Sequence, residues 1–142
     1  MKKITRSALL PYSSLDMFNI VNDVNSYSEF LPWCSDSLVL ESDEHSLVAR
    51  VDISKAGIKQ SFTTRNQLIV GKSIQLTLVD GPFSHLAGIW EFTALDSHAC
   101  KISLNLDFEV NNAIFNFALS ALFEQIASTL VESFCVRAKE IL

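Results

Sequence analysis

The final stretch of the chain, Asn112 to Leu142, contains no Gly and no Pro. Within it Phe115, Leu119, Leu122, Phe123, Ile126, Ala127, Leu130, Phe134, Ala138 and Ile141 recur at spacings of three and four. A helix would bring all of them to one face. Glu124, Ser128, Glu132 and Lys139 fall on the other side. Asn112 stands where an N-cap would, with a side-chain oxygen able to accept from an orphan backbone N–H. At 1.5 Å per residue such a helix is roughly 40 Å long. A stripe of that length and width needs a broad apolar surface opposite it, and the preceding residues have to supply one.

They read as strands. Residues 2–10 form a first apolar-and-polar run ended by Pro11. Ser13 and Asp16 then have the spacing of a capping box, and Leu15, Phe18, Ile20 and Val21 give a short helix an apolar side. Asp23-Val24-Asn25 breaks it, and Tyr27 to Leu31 makes a second short helix before Pro32. From Asp36 to Val110 the period changes to two: Leu47, Ala49, Val51 and Ile53, then Ile74, Leu76 and Leu78, then Trp90 and Phe92, then Ile102, Leu104, Leu106, Phe108 and Val110. Turn residues separate the runs at Ser42-Asp43-Glu44, Ala56-Gly57, Gly71-Lys72, Asp80-Gly81-Pro82 and Asp96-Ser97. The order is strand, two short helices, six strands and one long helix, which predicts an α+β fold. A seven-stranded antiparallel sheet has one apolar face to cover, and only the closing helix is long enough to cover it. A curved sheet wrapped around one helix, a helix-grip arrangement, leaves space between the two layers.

With 142 residues the chain is expected to form a single domain, 1–142, large enough to bury its own core. The net charge of -5 argues against indiscriminate nucleic-acid binding, and no DNA partner is expected. The charge is uneven, however: between Arg50 and Lys72 the basic residues Arg50, Lys55, Lys59, Arg65 and Lys72 face Asp52 alone. Cys34, Cys100 and Cys135 have no metal-like or redox spacing and fit a reducing compartment. Lys2, Lys3 and Arg6 are followed only by Ala8-Leu9-Leu10 before Pro11, too short for a signal-peptide core. Glu124, Gln125, Glu132 and Arg137 interrupt the closing stretch, so no transmembrane segment is expected, which leaves room for transient membrane contact only. A cytoplasmic location follows.

On the strand from Ile58 to Leu68, the face carrying Ile58 and Phe62 also carries Gln60, Thr64 and Asn66. If Phe62 points inward, these polar groups line the interior and need water or a ligand headgroup as partner. If they lie at a sheet edge, solvent serves them. Tyr27, Phe30, Trp33, Phe83, Trp90 and Phe92 form an aromatic set that reads either as the mouth of an apolar pocket or as ordinary core. Leu119, Phe123, Ala127 and Leu130 would be the helix's wall of such a pocket. Signals for catalysis are thin. His45, His85 and His98 sit in loops without companions at metal-ligand or triad spacing, and Asp107 and Glu109 share a strand face that reads as solvent-facing. No catalytic residue, metal or cofactor is expected.

Four segments in order, Asp23 to Cys34, Gly81-Pro82-Phe83-Ser84-His85-Leu86 leading to Trp90-Glu91-Phe92, Leu106 to Val110, and Phe134 to Ala138, resemble the coenzyme Q-binding, START-like proteins (the polyketide cyclase/dehydrase superfamily). Among these the chain is most similar to the bacterial ribosome-association toxin group. The resemblance spans essentially the whole chain. It implies a helix-grip fold with a cavity for a hydrophobic ligand, ubiquinone or a similar polyprenyl quinone, supporting respiration. For the bacterial group it implies binding to the large ribosomal subunit and a block on subunit joining. Cavity residues would then be Phe30, Trp33, Phe62, Thr64, Asn66, Trp90, Phe92, Leu119, Phe123 and Ala127. The ribosome-facing surface would be Arg50, Lys55, Lys59, Arg65 and Lys72. An older cyclase label attached to the group implies polyketide chemistry, for which the sequence offers no acid/base pair.

Overall fold

The computed structural model describes residues 1–114 and 116–142; Phe115, assigned above to the helical stripe, lies outside them. The chain runs β1 (Lys2–Leu10), α1 (Ser14–Asn22), a 3-10 turn (Val24–Ser26), α2 (Tyr27–Phe30), β2 (Cys34–Ser42), β3 (Ser46–Lys55), β4 (Ile58–Ile69), β5 (Ser73–Asp80), β6 (Phe83–Asp96), β7 (Ala99–Val110) and α3 (Phe117–Ile141). The seven strands form one curved antiparallel sheet in the order β1-β7-β6-β5-β4-β3-β2. β2 to β7 are therefore a meander, and β1 closes against the last strand.

Alternation fixes which face is inside. On β7 Cys100, Ile102, Leu104, Leu106, Phe108 and Val110 are buried, while the residues between them are exposed or half-buried. On β3 Leu47, Ala49, Val51 and Ile53 point the same way. Register shifts at Cys34/Asp36 and Val39/Glu41 in β2, Thr63/Thr64 in β4 and at both ends of β6 bend the strands. Such bulges increase local twist, so the sheet curls around α3. α3 covers the concave face, burying Leu119, Leu122, Phe123, Ile126, Ala127, Val131, Phe134 and Ala138.

The helical insertion after β1 plugs the remaining side. Ser13 caps α1, its Oγ accepting from the Asp16 N–H at 3.1 Å. The 3-10 turn is pinned to edge strand β2 by two bonds: Ser37 Oγ donates to the Val24 carbonyl at 2.6 Å, and Asn25 Oδ1 accepts from the Val39 N–H at 2.9 Å. The second satisfies an edge N–H that would otherwise be free to pair with another chain, and together they hold Val24 and Tyr27 over the interior.

Four expectations change. The long helix begins at Phe117, not Asn112, because Asn112 adopts a left-handed turn with φ +52°. Asn116 takes the N-cap position, and its amide donates back to the Asn111 carbonyl at 2.8 Å. Leu15 is exposed on α1 and Met17 is buried in its stead. Ile141, the last residue of α3, is exposed, whereas Val131 is buried. Finally, the polar interruptions of α3 do not remove it from the class of helices long and apolar enough to cross a membrane, its mean hydropathy reaching 1.2. Here that apolar stripe is packed against the sheet.

Candidate functional site

Between α3 and the middle of the sheet lies a cavity of about 90 Å³. Ala49 and Val51 of β3, Phe62, Thr64 and Asn66 of β4, Leu76 of β5, Leu86 and Trp90 of β6 and Leu106 of β7 form its floor. Phe123, Ile126, Ala127, Leu130 and Phe134 of α3 form its roof, and Val24, Tyr27 and Trp33 close one side. The volume holds a few waters. It is smaller than the roughly 150 Å³ apolar cavity that accepts benzene, and far below the roughly 300–1,000 Å³ of common small-molecule sites. A larger guest has to displace lining side chains. The half-buried members Phe62, Leu76 and Leu130 are the ones with room to move.

Small residues create the space. Ala49 and Ala127 leave gaps where larger side chains would meet. Gly88, paired with Leu106 on β7 and Leu76 on β5, has no Cβ to oppose Leu106. A methyl there would lie 2.7 Å from Leu106 Cδ1 and 2.9 Å from the Asn105 carbonyl oxygen. The glycine lets Leu106 lean across β6 and shape the floor.

Two aromatic groups bound the cavity. At one end the rings of Phe62, Phe83, Phe108 and Phe123 interlock edge-to-face, with Phe108 and Phe123 centroids 4.7 Å apart and Phe83 and Phe123 4.8 Å apart. At the other, Phe134 packs against Trp90 at 5.3 Å and Tyr27 at 5.4 Å. Such contacts add to area burial by about 0.5–1.5 kcal/mol each. The Tyr27 hydroxyl donates to the Val21 carbonyl. Burial, with smaller contributions from Asp23 and Cys34, pushes its pKa well above the tyrosine range. Tyr27 is the one acidic or basic side chain in the lining among the described residues.

The polar spot is on β4. Thr64 and Asn66 are both buried, and Thr64 Oγ1 donates to Asn66 Oδ1 at 2.8 Å. Gln60, expected on the same inner face, lies near the start of β4 and is exposed.

Of the residues singled out from sequence for the cavity, Trp33, Phe62, Thr64, Asn66, Trp90, Phe123 and Ala127 line it. Three lie elsewhere. Phe92 faces α1, edge-on to Phe18 at 5.6 Å. Phe30 lies outside the lining, under the Arg137 guanidinium at 4.8 Å. Leu119 is buried nearer the start of α3. Sequence reasoning passed over Ala49, Val51, Leu106 and Ile126 as plain core, although strand parity and helix spacing already placed them inward.

The basic residues do not form one patch. Arg50 is occupied by Asp36 at 3.5 Å and Asp52 at 3.2 Å. Lys55 and Lys59 flank the β3–β4 turn, with Arg65 further along β4. Lys72 follows β4 at its far end, about 35 Å away at 3.3 Å per residue. His45 and His98 are exposed and His85 half-buried, and no cluster of metal-ligating side chains occurs among the described residues. Burial raises the pKa of the Cys34, Cys100 and Cys135 thiols, which leaves them protonated and unreactive near neutral pH.

Comparison with known proteins agrees with this fold. The chain is 50% identical over 141 residues to "Ribosome association toxin RatA" of Escherichia coli, covering 99% of this chain and 89% of that protein. It is 25% identical over 141 residues to the Xenopus laevis "Coenzyme Q-binding protein COQ10 homolog B, mitochondrial", covering 96% and 58% respectively. The crystal structure of the Zhui aromatase/cyclase from Streptomyces superposes with a TM-score of 0.83 at 18% identity, over 97% of this chain and 93% of that one, a likeness of fold. The named sequence relatives are a ribosome association toxin and a coenzyme Q-binding protein, while the same fold also occurs in an aromatase/cyclase. The family described as "Polyketide cyclase / dehydrase and lipid transport" matches residues 10–135, and the chain is a START-like member of it.

Proposed function

We propose that this chain is a non-catalytic binding protein that encloses a lipid-like ligand, ubiquinone or a similar polyprenyl quinone, between its sheet and α3. The observation that carries the reading is an interior space walled mainly by apolar and aromatic side chains, with the buried pair Thr64 and Asn66 as a polar spot on β4. An apolar pocket with a few placed polar groups is the usual form of a small-molecule site. The name of the Xenopus relative supports the ligand class. General acid/base catalysis needs a positioned proton carrier. Tyr27 is a poor one, since its hydroxyl is committed to a backbone carbonyl and its pKa is raised by burial. Native mass spectrometry of the protein purified from its own host tests the reading. A retained quinone mass is expected. Protein that carries no lipid and binds no short-chain quinone analogue saturably would refute it. Turnover of a polyketide substrate that disappears on replacing Asn66 would instead favour a cyclase.

A second role is favoured by the identity of 50% to proteins named for ribosome association. It uses the outside of the molecule and is compatible with the first. The chain binds the large ribosomal subunit in the cytoplasm and blocks subunit joining. Lys55, Lys59 and Arg65 are the cations available for phosphate contacts, since Arg50 is already paired. Charge reversal of Lys55 and Lys59 together should abolish cosedimentation with large subunits, while Lys72→Glu should leave it intact. Undiminished cosedimentation of the double variant would remove this surface from consideration.

A further inference from the structure

We infer that the Asn66 amide is a donor that selects the cavity's guest, so the ligand enters as a ring bearing a carbonyl-type acceptor and docks that oxygen against Asn66. This rests on the cavity-binding reading above and goes beyond it, because an apolar cavity alone accepts any hydrocarbon of suitable shape.

The inner face of the sheet offers Asn66 nothing polar from the side. Its cross-strand partners are Leu47 on β3 and Leu76 on β5. Those of Thr64 are Ala49 and Leu78. Above, α3 presents Phe123, Ile126, Ala127 and Leu130 to the cavity. Asn66 nevertheless retains only 6% of its surface exposure.

Within that surrounding, the Thr64 contact is with the oxygen end of the amide. The Thr64 hydroxyl donates to Asn66 Oδ1 at 2.8 Å, which occupies one of that oxygen's two lone pairs and turns Nδ2 away from Thr64. Nδ2 has no hydrogen-bond partner among the described residues, and the residue lines the cavity. The spot therefore donates. A carboxamide carries two N–H donors on that nitrogen, and leaving them unmet in an apolar site is unfavourable. A carbonyl oxygen satisfies them. An ammonium group cannot, because it has no acceptor, and a hydrocarbon leaves them unpaired. Sites built around such a donor reject analogues lacking the acceptor far more strongly than pockets discriminate by shape.

The test uses two shape-matched probes, 2,3-dimethyl-1,4-naphthoquinone and 2,3-dimethylnaphthalene. Their binding is followed by quenching of the lining residues Trp33 and Trp90 and by calorimetry. Wild-type protein should bind the quinone about ten-fold more tightly or better, the expected effect of one good hydrogen bond. Asn66→Leu, close in volume, should bind both probes alike with hydrocarbon affinity retained. Thr64→Val, which releases the amide to turn, should lose part of the preference. Without ligand, Asn66→Leu should melt only slightly below wild type, because it removes the two unmet N–H donors together with the single hydrogen bond from Thr64. Equal binding of both probes by wild type, a preference that survives in Asn66→Leu, or a large fall in its melting temperature would each overturn the inference. If the hydrocarbon binds and the quinone gains nothing, cavity binding stands and only the donor role falls. If neither probe binds wild type, both fall together.

Discussion

Phe62 on β4 and Phe123 on α3 meet edge-to-face, their ring centroids 5.8 Å apart and their planes at 87°. The contact joins the sheet to the helix at one end of the cavity. Phe62 also meets Phe83 at 5.9 Å. Behind it the β5–β6 turn closes in through Gly81, whose φ of +150° suits glycine and whose missing Cβ would lie 2.8 Å from Phe62 Cβ. The ring is half-buried, and its contacts with Phe83, Phe123 and the Gly81 turn make it the cavity's stopper at this end.

Phe62→Ala should therefore enlarge and open the cavity. The stability loss should be about 1–3 kcal/mol, below the 3–5 kcal/mol of a fully buried Phe→Ala change because the ring is already half in solvent. Uptake of a small apolar fluorophore should rise at the same time. Thermal melts and dye titration on the same samples measure both. Lower stability without increased uptake would show that Phe62 is core packing alone.

Gly88→Ala should act in the opposite sense on the cavity. The new methyl meets Leu106 Cδ1 at 2.7 Å and a backbone oxygen at 2.9 Å, and only the first can give way easily. Overpacking of this kind costs about 1–3 kcal/mol. Leu106 is a floor residue, so its displacement should also weaken binding of any interior ligand. A Gly88→Ala protein with wild-type melting and wild-type affinity would show that β6 and β7 adjust freely.

Most of this fold is legible in the sequence because period and punctuation agree. Strict alternation on β7 and the glycine- and aspartate-containing turns place the strands to within a residue or two. The cavity is harder to read. Whether Phe62, Thr64 and Asn66 meet a guest or solvent depends on how far α3 reaches over β4. Strand parity cannot say so: Gln60 shares their parity and is exposed. Phe30 and Phe92 have the right chemistry for a pocket wall, but α3 claims the first and α1 the second, and those contacts are tertiary. Clustering of cations in sequence misleads for a related reason. A β-strand separates Lys59 from Lys72 by nearly its whole length.

Arg137 should be the clasp between α3 and α2. Its guanidinium lies 4.8 Å from the Phe30 ring centroid and 3.5 Å from Glu29 Oε2, while Phe30 itself packs on Phe134 at 5.6 Å. The ion pair is long and partly exposed, so the stacking should dominate. Arg137→Ala should cost about 1 kcal/mol and lower the melting temperature by roughly 3–5 °C. Arg137→Lys keeps the charge but loses the planar face and should recover less than half of that. Glu29→Gln should cost less than either. If Glu29→Gln equals Arg137→Ala, the clasp is electrostatic instead.

Tyr27 should impose an alkaline limit on stability. Burial raises its folded-state pKa well above the ordinary value near 10. The folded chain therefore holds this proton where the unfolded chain has released it. With more protons bound in the folded state, stability is level below about pH 10 and falls as pH rises past it. Tyr27→Phe removes the titrating group together with the hydrogen bond to Val21, so it should start about 1 kcal/mol less stable at neutral pH. Above pH 10 it should then lose stability less steeply than wild type, and the two curves should converge. Chemical denaturation midpoints at half-unit steps from pH 8 to about 11 resolve the slopes, with the buried thiols common to both proteins. Parallel curves across that range would mean that Tyr27 reaches solvent in the folded state, which would place the cavity's mouth at α2 rather than at Phe62.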